Sequence, residues 1–377
     1  MWDKRRAYRF IFLMGLVSLL SDFTYEGAKG IIGPYLAYLG ASAFVVSLIS
    51  GASELIGYWI RLFSGVLSDR LRSYWALTML GYALNLFSVP LLGLVKSWQL
   101  AGLLVFLERF GKGLRTPSRD VLLSKATSLV GHGKGFGLHE FLDQIGAVLG
   151  PLSVALVLLL GLGYRSAFLF LLIPAILAIL LLFFAKRIYS DKINFEKSSH
   201  EPAKFSKAFY LYLLASCLIS LSFLPFPLIG FHLYQHAFDG WKVSLLFALA
   251  MALDALSALF FGVLYDKRGF LALVIGLSFG LFSPILLFLF DKVLFAIALW
   301  GISLGVQESI MRSAVAKLSS ETGRGRAYGI FHFFIGLSAF LGGALMGLLY
   351  ELSPTALVIY SLSLHIIALF ILLKIRP

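Results

Sequence analysis

The chain has 377 residues, 59% of them hydrophobic and only 14% charged, with a formal net charge of +13. Soluble globular domains run nearer to about 45–50% apolar and about 25% charged residues, so composition argues against a water-soluble fold and for a polytopic membrane protein. The single cysteine, Cys217, excludes an intrachain disulfide and any cysteine-based metal cluster.

A membrane-spanning helix needs roughly 20 apolar residues. In chain order the hydropathy pattern predicts twelve, near 7–38, 41–67, 75–95, 98–125, 134–160, 165–188, 206–236, 241–264, 270–290, 293–317, 326–349 and 355–375. The first run follows MWDKRR, which resembles the basic start of a secretory signal. It is too long for one and no small-residue cleavage site follows, so it is read as the first span. The connections are short except at 189–205, a polar and charged segment after the sixth span. This gives a six-helix bundle over 1–188, a linker over 189–205 and a second six-helix bundle over 206–377.

Lys and Arg in short loops set orientation. With the N-terminus in the cytoplasm, 25 of the 32 basic residues fall on the inside and four, Lys96, Arg165, Lys242 and Lys292, on the outside. Both termini are therefore expected in the cytoplasm, with the protein integral to the cytoplasmic membrane of a prokaryote. The same distribution accounts for the basic balance through anionic headgroups, so no nucleic-acid partner is expected.

An internal repeat supports two halves. GVLSDRLRS at 65–73 matches GVLYDKRG at 262–269, and GKGFGLHEF at 133–141 matches GRAYGIFHF at 325–333. Six spans per copy keep both copies in the same orientation, related by an axis along the membrane normal.

Three motifs then resemble the major facilitator superfamily. GVLSDR, from Gly65 to Arg70, is similar to its motif between the second and third helices. RFGKG, from Arg109 to Gly113, is similar to its fourth-helix motif with a membrane-embedded arginine. GAVLGP, from Gly146 to Pro151, is similar to the fifth-helix motif of its antiporters. The resemblance covers nearly the whole chain. It implies an all-α membrane protein of twelve transmembrane helices in two pseudo-symmetric bundles, a monomer that moves a small molecule by alternating access. Two departures stand out: Arg72, Ser73 and Tyr74 replace the usual continuation of the loop motif, and Lys112 stands where glutamine is usual.

Charges inside spans are costly and mark function. Asp22, Glu26 and Lys29 share one stripe of the first span by spacing; they serve proton uptake or a cationic substrate, or else form a Glu26–Lys29 or Asp22–Lys29 pair that locks helices. Counting along the helices, Asp22, Glu54, Arg109 and Asp143 come near mid-membrane. Arg109 would stabilise an ionised carboxylate and exchange partners when that group protonates. In the fifth span His139, Asp143, Gly146 and Gly150 share a face, with a small-xxx-small surface at the glycines and a bend permitted at Pro151. His139 would shuttle protons, bind metal, or hydrogen-bond Asp143 or Glu140. In the second half Asp254 is the better site candidate, Glu308 and Arg312 can pair with each other, and His232 and His236 lie one turn apart.

The stretch LERFGKGLRTPSRD at 107–120 puts six charges at the end of an apolar helix. Arg115, Arg119 and Asp120 are expected at the cytoplasmic surface, with Pro117 and Ser118 interrupting the last turns. Asp69, Arg70, Arg115 and Asp120 would then form an inner gate, the alternative being solvated surface charge. No GxxxxGK[ST], HExxH or GxSxG stretch occurs, so neither an enzyme nor direct ATP drive is expected. No cofactor is implied beyond a proton gradient as the coupling ion. The expected activity is proton-coupled export of a small organic compound, cationic or amphiphilic. The alternatives are transport of divalent metal ions through Asp22, Glu26, His139 and Asp143, proton-coupled uptake, and a non-transporting receptor.

Overall fold

The computed structural model describes residues 3–71, 73–189, 205–319 and 324–375; the side chains of Asp69 and Arg312 are not among those described. The segment expected to link two halves, 189–205, lies outside the described residues except at its ends.

With no water in a bilayer core, an apolar chain must satisfy its backbone internally, and helices do so. The described residues form fourteen α-helices. These are α1 (Lys4–Tyr38), α2 (Ala43–Leu71), α3 (Tyr74–Leu91), α4 (Trp98–Val130), α5 (His132–Leu159), α6 (Gly163–Phe170), α7 (Leu172–Tyr189), α8 (Lys207–Ser222), α9 (Phe226–Gln235), α10 (Gly240–Arg268), α11 (Phe270–Phe288), α12 (Val293–Lys317), α13 (Arg324–Leu352) and α14 (Pro354–Lys374). Among the described residues, eleven spans are long and apolar enough to cross a membrane, with α6–α7 and α8–α9 each counted as one. Helix α4, whose 33 residues reach about 50 Å at ~1.5 Å per residue, is not one of these eleven; it carries the charged stretch.

The α8–α9 break falls at LPFP, where Pro225 and Pro227 cannot continue a helix. Side chains satisfy the carbonyls this frees. Tyr360 donates to Leu221 at 3.2 Å, Ser361 to Ser222 at 2.7 Å and the Trp300 indole to Leu224 at 2.9 Å. At Pro117 the outcome differs from the expected interruption: α4 runs straight through to Val130. Neighbouring hydroxyls donate to carbonyls beside the proline, Ser64 to Leu114 at 2.5 Å and Thr116 to Lys112 at 2.6 Å. Such side-chain donors let a transmembrane helix keep a proline.

The chain forms two compact units that interleave in sequence. One comprises Met1–Ala41, Ile56–Asn194 and Gly230–Ala248; the other comprises Ser42–Leu55, Phe195–Ile229 and Leu249–Pro377. Helices α2, α9 and α10 thus each pass from one unit to the other.

In the first unit, Phe10, Ile11, Met14 and Val17 of α1 pack with Tyr82, Leu86, Leu122 and Leu182. Helices α1 and α5 touch backbone to backbone: a Cβ added at Gly146 or Gly150 would run into the carbonyl oxygens of Leu19 and Phe23. Helix α3 approaches α4 as closely at Gly81 and Gly111. The Gly230–Ala248 segment packs on the same unit, with Gly230 over Pro34, Phe247 over Gly30, and Ser244 donating to the Pro151 carbonyl at 2.8 Å.

In the second unit, Tyr212, Phe261, Leu273, Val306, Ile310 and Phe331 form the core. The start of α2 packs on α13, where Gly51 faces Ala339 and Phe340, and Gly347 faces Phe44. Glu351 accepts from the Phe44 backbone N–H at 2.8 Å, capping the first turn of α2 from another helix.

Candidate functional site

The first unit gathers most of the ionisable side chains singled out by sequence. Helix α1 contributes Asp22, Tyr25, Glu26 and Lys29 at helical spacing on one face, and Asp22, Tyr25 and Glu26 are buried. Lys29 pairs with Glu26 at 3.3 Å within α1 itself. The Lys29 ammonium also lies 5.9 Å from the Phe247 ring. The Tyr25 hydroxyl is within hydrogen-bonding reach of Asp22.

Helix α4 places its charges in steps of four, three and four: Glu108, Lys112, Arg115 and Arg119. These steps put all four on one face. Glu108 accepts from the Asn85 amide at 2.6 Å and lies 3.4 Å from Arg109. Arg119 holds Asp120 through Nε at 3.0 Å and Nη2 at 2.8 Å, and reaches Ser18 of α1 at 3.3 Å.

Lys112 and Arg115 are held differently. The Lys112 ammonium sits 3.9 Å from the Tyr25 ring centroid. The Arg115 guanidinium lies 4.1 Å from the Tyr82 ring and 5.9 Å from that of Tyr25. Arg115 is 1% exposed. This corrects the expectation that it reaches the surface: the helix does not break at Pro117, so Arg115 remains on the face turned towards α1 and α3. The proposed inner-gate set is divided accordingly. Arg70 is exposed, Arg115 is buried, Asp120 is bound to Arg119, and the Asp69 side chain lies outside those described. A Cβ added at Gly65 would meet the Pro117 ring at ordinary van der Waals distance.

Helix α5 adds His139 and Asp143. Asp143 has His139, Arg119, Arg115 and Lys112 within electrostatic range, and Asp22 has Asp143, Lys112 and Glu26. Asp22 Oδ1 and Asp143 Oδ1 are both buried and accept no hydrogen bond. The expected hydrogen bond from His139 to Asp143 or Glu140 is not formed by Nε2, which is buried without a partner; Glu140 is exposed. Gly146, Gly150 and Pro151 lie further along α5, where the two glycines bring it against α1 and hold Asp143 beside Asp22.

Other expected residues lie elsewhere. Glu54 and Asp254 belong to the second unit. Asp254 is buried, and its backbone carbonyl accepts from Ser257 at 3.0 Å. Glu308 is exposed. His232 and His236 stack with ring centroids 4.1 Å apart, and His236 Nδ1 lies 2.9 Å from the His232 carbonyl. Among the described residues no three His, Cys, Asp or Glu side chains converge to hold a metal ion.

Sequence reasoning missed Tyr25, Tyr82 and Asn85. Tyr25 lies three residues after Asp22 on the stripe already recognised, and that spacing was the available signal.

A family model for the Major Facilitator Superfamily matches residues 11–291 and 209–377. The chain belongs to the major facilitator superfamily. It is 38% identical over 382 residues to an uncharacterized protein of Mycobacterium tuberculosis (strain ATCC 25618 / H37Rv), covering 98% of this chain and 93% of that relative. It is 30% identical to an uncharacterized MFS-type transporter of Methanocaldococcus jannaschii, covering 98% and 96%. Among solved structures, the nucleoside transporter NupG superimposes with a TM-score of 0.75 at 15% identity, covering 97% of this chain and all of that one. A POT family transporter in complex with 5-aminolevulinic acid gives 0.74 at 16% identity, covering 97% and 95%. At such identities the likeness is one of fold. This superfamily member is therefore an integral membrane protein of the secondary-transporter class, and the family is one of transporters rather than enzymes.

Proposed function

We propose that this superfamily member is a proton-coupled exporter of a small organic compound. In this reading it works by alternating access in the cytoplasmic membrane of a prokaryote, as a monomer with both termini inside. The halves 1–188 and 206–377 are the blocks that rock. One observation carries the coupling. Asp22 on α1 and Asp143 on α5 lie within electrostatic range of each other, and each keeps a buried oxygen that no group donates to. Lys112 is in range of both, and two neighbouring acids that share a cation can bind a proton as a pair and release it when the cation moves. Lys112, Arg115 and Arg119 are the cations in reach of Asp143, and a motion of α4 against α5 would change which acid they serve. Export is favoured by the fifth-helix motif at Gly146–Pro151 in its place against α1. The metal-ion reading has no comparable support, since no three-ligand cluster is formed among the described residues.

The test is flux. Purified protein in liposomes with an entrapped pH dye is challenged with a panel of organic compounds. A transported compound is expected to collapse an imposed pH gradient, and Asp22→Asn and Asp143→Asn are each expected to abolish that response while protein insertion is retained. Proton movement unchanged in both variants would refute the coupling assignment.

A further inference from the structure

We infer that Lys112 and Arg115 form a receptor for a carboxylate or phosphate group of the transported compound. The inference rests on the transporter reading and departs from the expectation of a cationic or amphiphilic substrate.

Of the five cations on α4, four, Arg109, Lys112, Arg115 and Arg119, fall within its charged stretch at 107–120. The outer two, Arg109 and Arg119, have an acid as sequence neighbour within ion-pair distance, Glu108 at 3.4 Å and Asp120 at 2.8 Å. The inner two have none: among the described residues no carboxylate reaches ion-pair contact with Lys112 or Arg115. Aromatic rings hold them instead, Tyr25 beneath Lys112 and Tyr82 beneath Arg115. Arg115 is buried, and its Nε and Nη1 donate to nothing. Burying a guanidinium without hydrogen bonds is costly and is rarely retained without a use.

Geometry decides what the use is. The guanidinium fork matches the two oxygens of a carboxylate or phosphate, while an ammonium adds a mobile point charge beside it. A cation–π contact keeps each cation in place and leaves its N–H donors for a third group. Three further buried hydroxyls accept or donate no hydrogen bond: Tyr82, whose ring lies on Arg115, Thr78 one turn before it on α3, and Ser118 one turn after Arg115 on α4. They suit the remaining oxygens of such an anion. Lys112, which is only half-buried, gives the site its approach. Asp143 stands in electrostatic range of both cations, so an arriving anion competes with it for them. Substrate binding and the proton-carrying acid are thereby joined at the same two side chains.

The test uses thermal stabilisation of the purified full-length protein in neutral detergent. The probes are benzoate against benzamide, phenyl phosphate against phenol, and inorganic phosphate against chloride at equal ionic strength, with a separate arm of phosphatidylglycerol micelles. At least one anion is expected to stabilise the wild type more than its neutral or chloride counterpart. Apparent affinity is expected to fall at least tenfold in Lys112→Gln and in Arg115→Lys, which keeps the charge and loses the fork, and to vanish in Arg115→Gln. A response confined to the phosphatidylglycerol arm and lost in the same variants assigns the anion to a lipid headgroup. No anion-selective stabilisation in the wild type, or an equal response in Lys112→Gln and Arg115→Lys, overturns the proposal. Asp143→Asn removes the carboxylate that competes for Lys112 and Arg115, so it is expected to keep or strengthen the anion response. Wild-type protein that binds the anion but moves no protons with any compound therefore fails the transport reading without failing this one.

Discussion

Replacing Gly150 by alanine tests whether α1 and α5 are held by backbone contact. A Cβ at Gly150 would lie 2.9 Å from both Phe23 Cα and its carbonyl carbon, and closer still to the carbonyl oxygen, where ordinary contact begins at 3.4 Å. The helices must therefore separate by about half an ångström or more at this level, and overpacking of this kind costs about 1–3 kcal/mol. Alanine returns up to about 1 kcal/mol through its better helix propensity, leaving a net loss of up to about 2 kcal/mol. Gly137 is the matched control, because it lies on the same helix and a Cβ there meets nothing within 4 Å. Gly137→Ala should be neutral or stabilising by about 0.5–1 kcal/mol. Thermal unfolding in detergent should order the three proteins Gly137→Ala at or above wild type, and wild type above Gly150→Ala. Equal stability of the two alanine variants would refute the contact. Because Asp22 adjoins Phe23, the same displacement moves it relative to Asp143, so Gly150→Ala should also lose proton-coupled flux.

Three other perturbations have defined outcomes. Asn85→Leu removes the 2.6 Å donor to the Glu108 carboxylate and leaves a buried charged acceptor short of a partner, at a cost of about 1.5–3 kcal/mol; denaturation of the solubilised protein reads it, and an unchanged midpoint refutes it. Glu351→Ala takes away the cap on Phe44, worth about 1 kcal/mol at a helix start, so amide exchange should quicken at 43–46 and stay unchanged at the start of α11. In the connection before α10, the Lys242 ammonium 2.9 Å away holds the exposed Asp239 carboxyl below its ordinary range. A depressed acid contributes stability above its unfolded pKa and loses it as pH falls through the folded value. Lys242→Met should therefore bring the Asp239 titration back up to the ordinary carboxylate range, followed by carboxyl-carbon NMR.

Hydropathy alone makes the spans legible, because a bilayer demands long apolar helices wherever the chain crosses it. The same pattern gave 98–125 as a span, and the six charges at 107–120 make α4 less apolar than the other eleven. What sequence reading misjudged was direction around a helix. Counting residues gave Arg115 a depth near the surface, whereas the steps Glu108, Lys112, Arg115 and Arg119 assign it to an inward face. The proline at 117 misled for a related reason, since nothing local announces that Ser64 of another helix donates to the carbonyl of Leu114. The α8–α9 break was visible as LPFP but was hidden inside a run apolar enough to span. Gly146 and Gly150 announced a close helix partner; that the partner is α1 follows only from tertiary packing. Tyr25 and Tyr82 were hard to single out in a chain with 16 tyrosines and 35 phenylalanines, because an aromatic residue acquires a role only from the cation placed on it.

These particulars explain how a membrane protein tolerates α4. Its first turns show Leu100 and Leu103 outward, where an apolar surface suits lipid. Among its later charges, Glu108, Arg109 and Arg115 are buried, whereas the Asp120 side chain stays 45% exposed. Gly81 and Gly111 let α3 close over Arg115, and Gly113 lets α2 approach at Gly57. Two of the cations are then neutralised by sequence neighbours, and two rest on aromatic rings. Full neutralisation by fixed carboxylates would have been the more stable solution, since truncating either partner of a buried pair is what costs most. Leaving Lys112 and Arg115 to tyrosines keeps their charge available to whatever enters. A helix built only to span would gain nothing from that arrangement, whereas a transporter that must exchange a bound group for a proton needs cations whose partners can change.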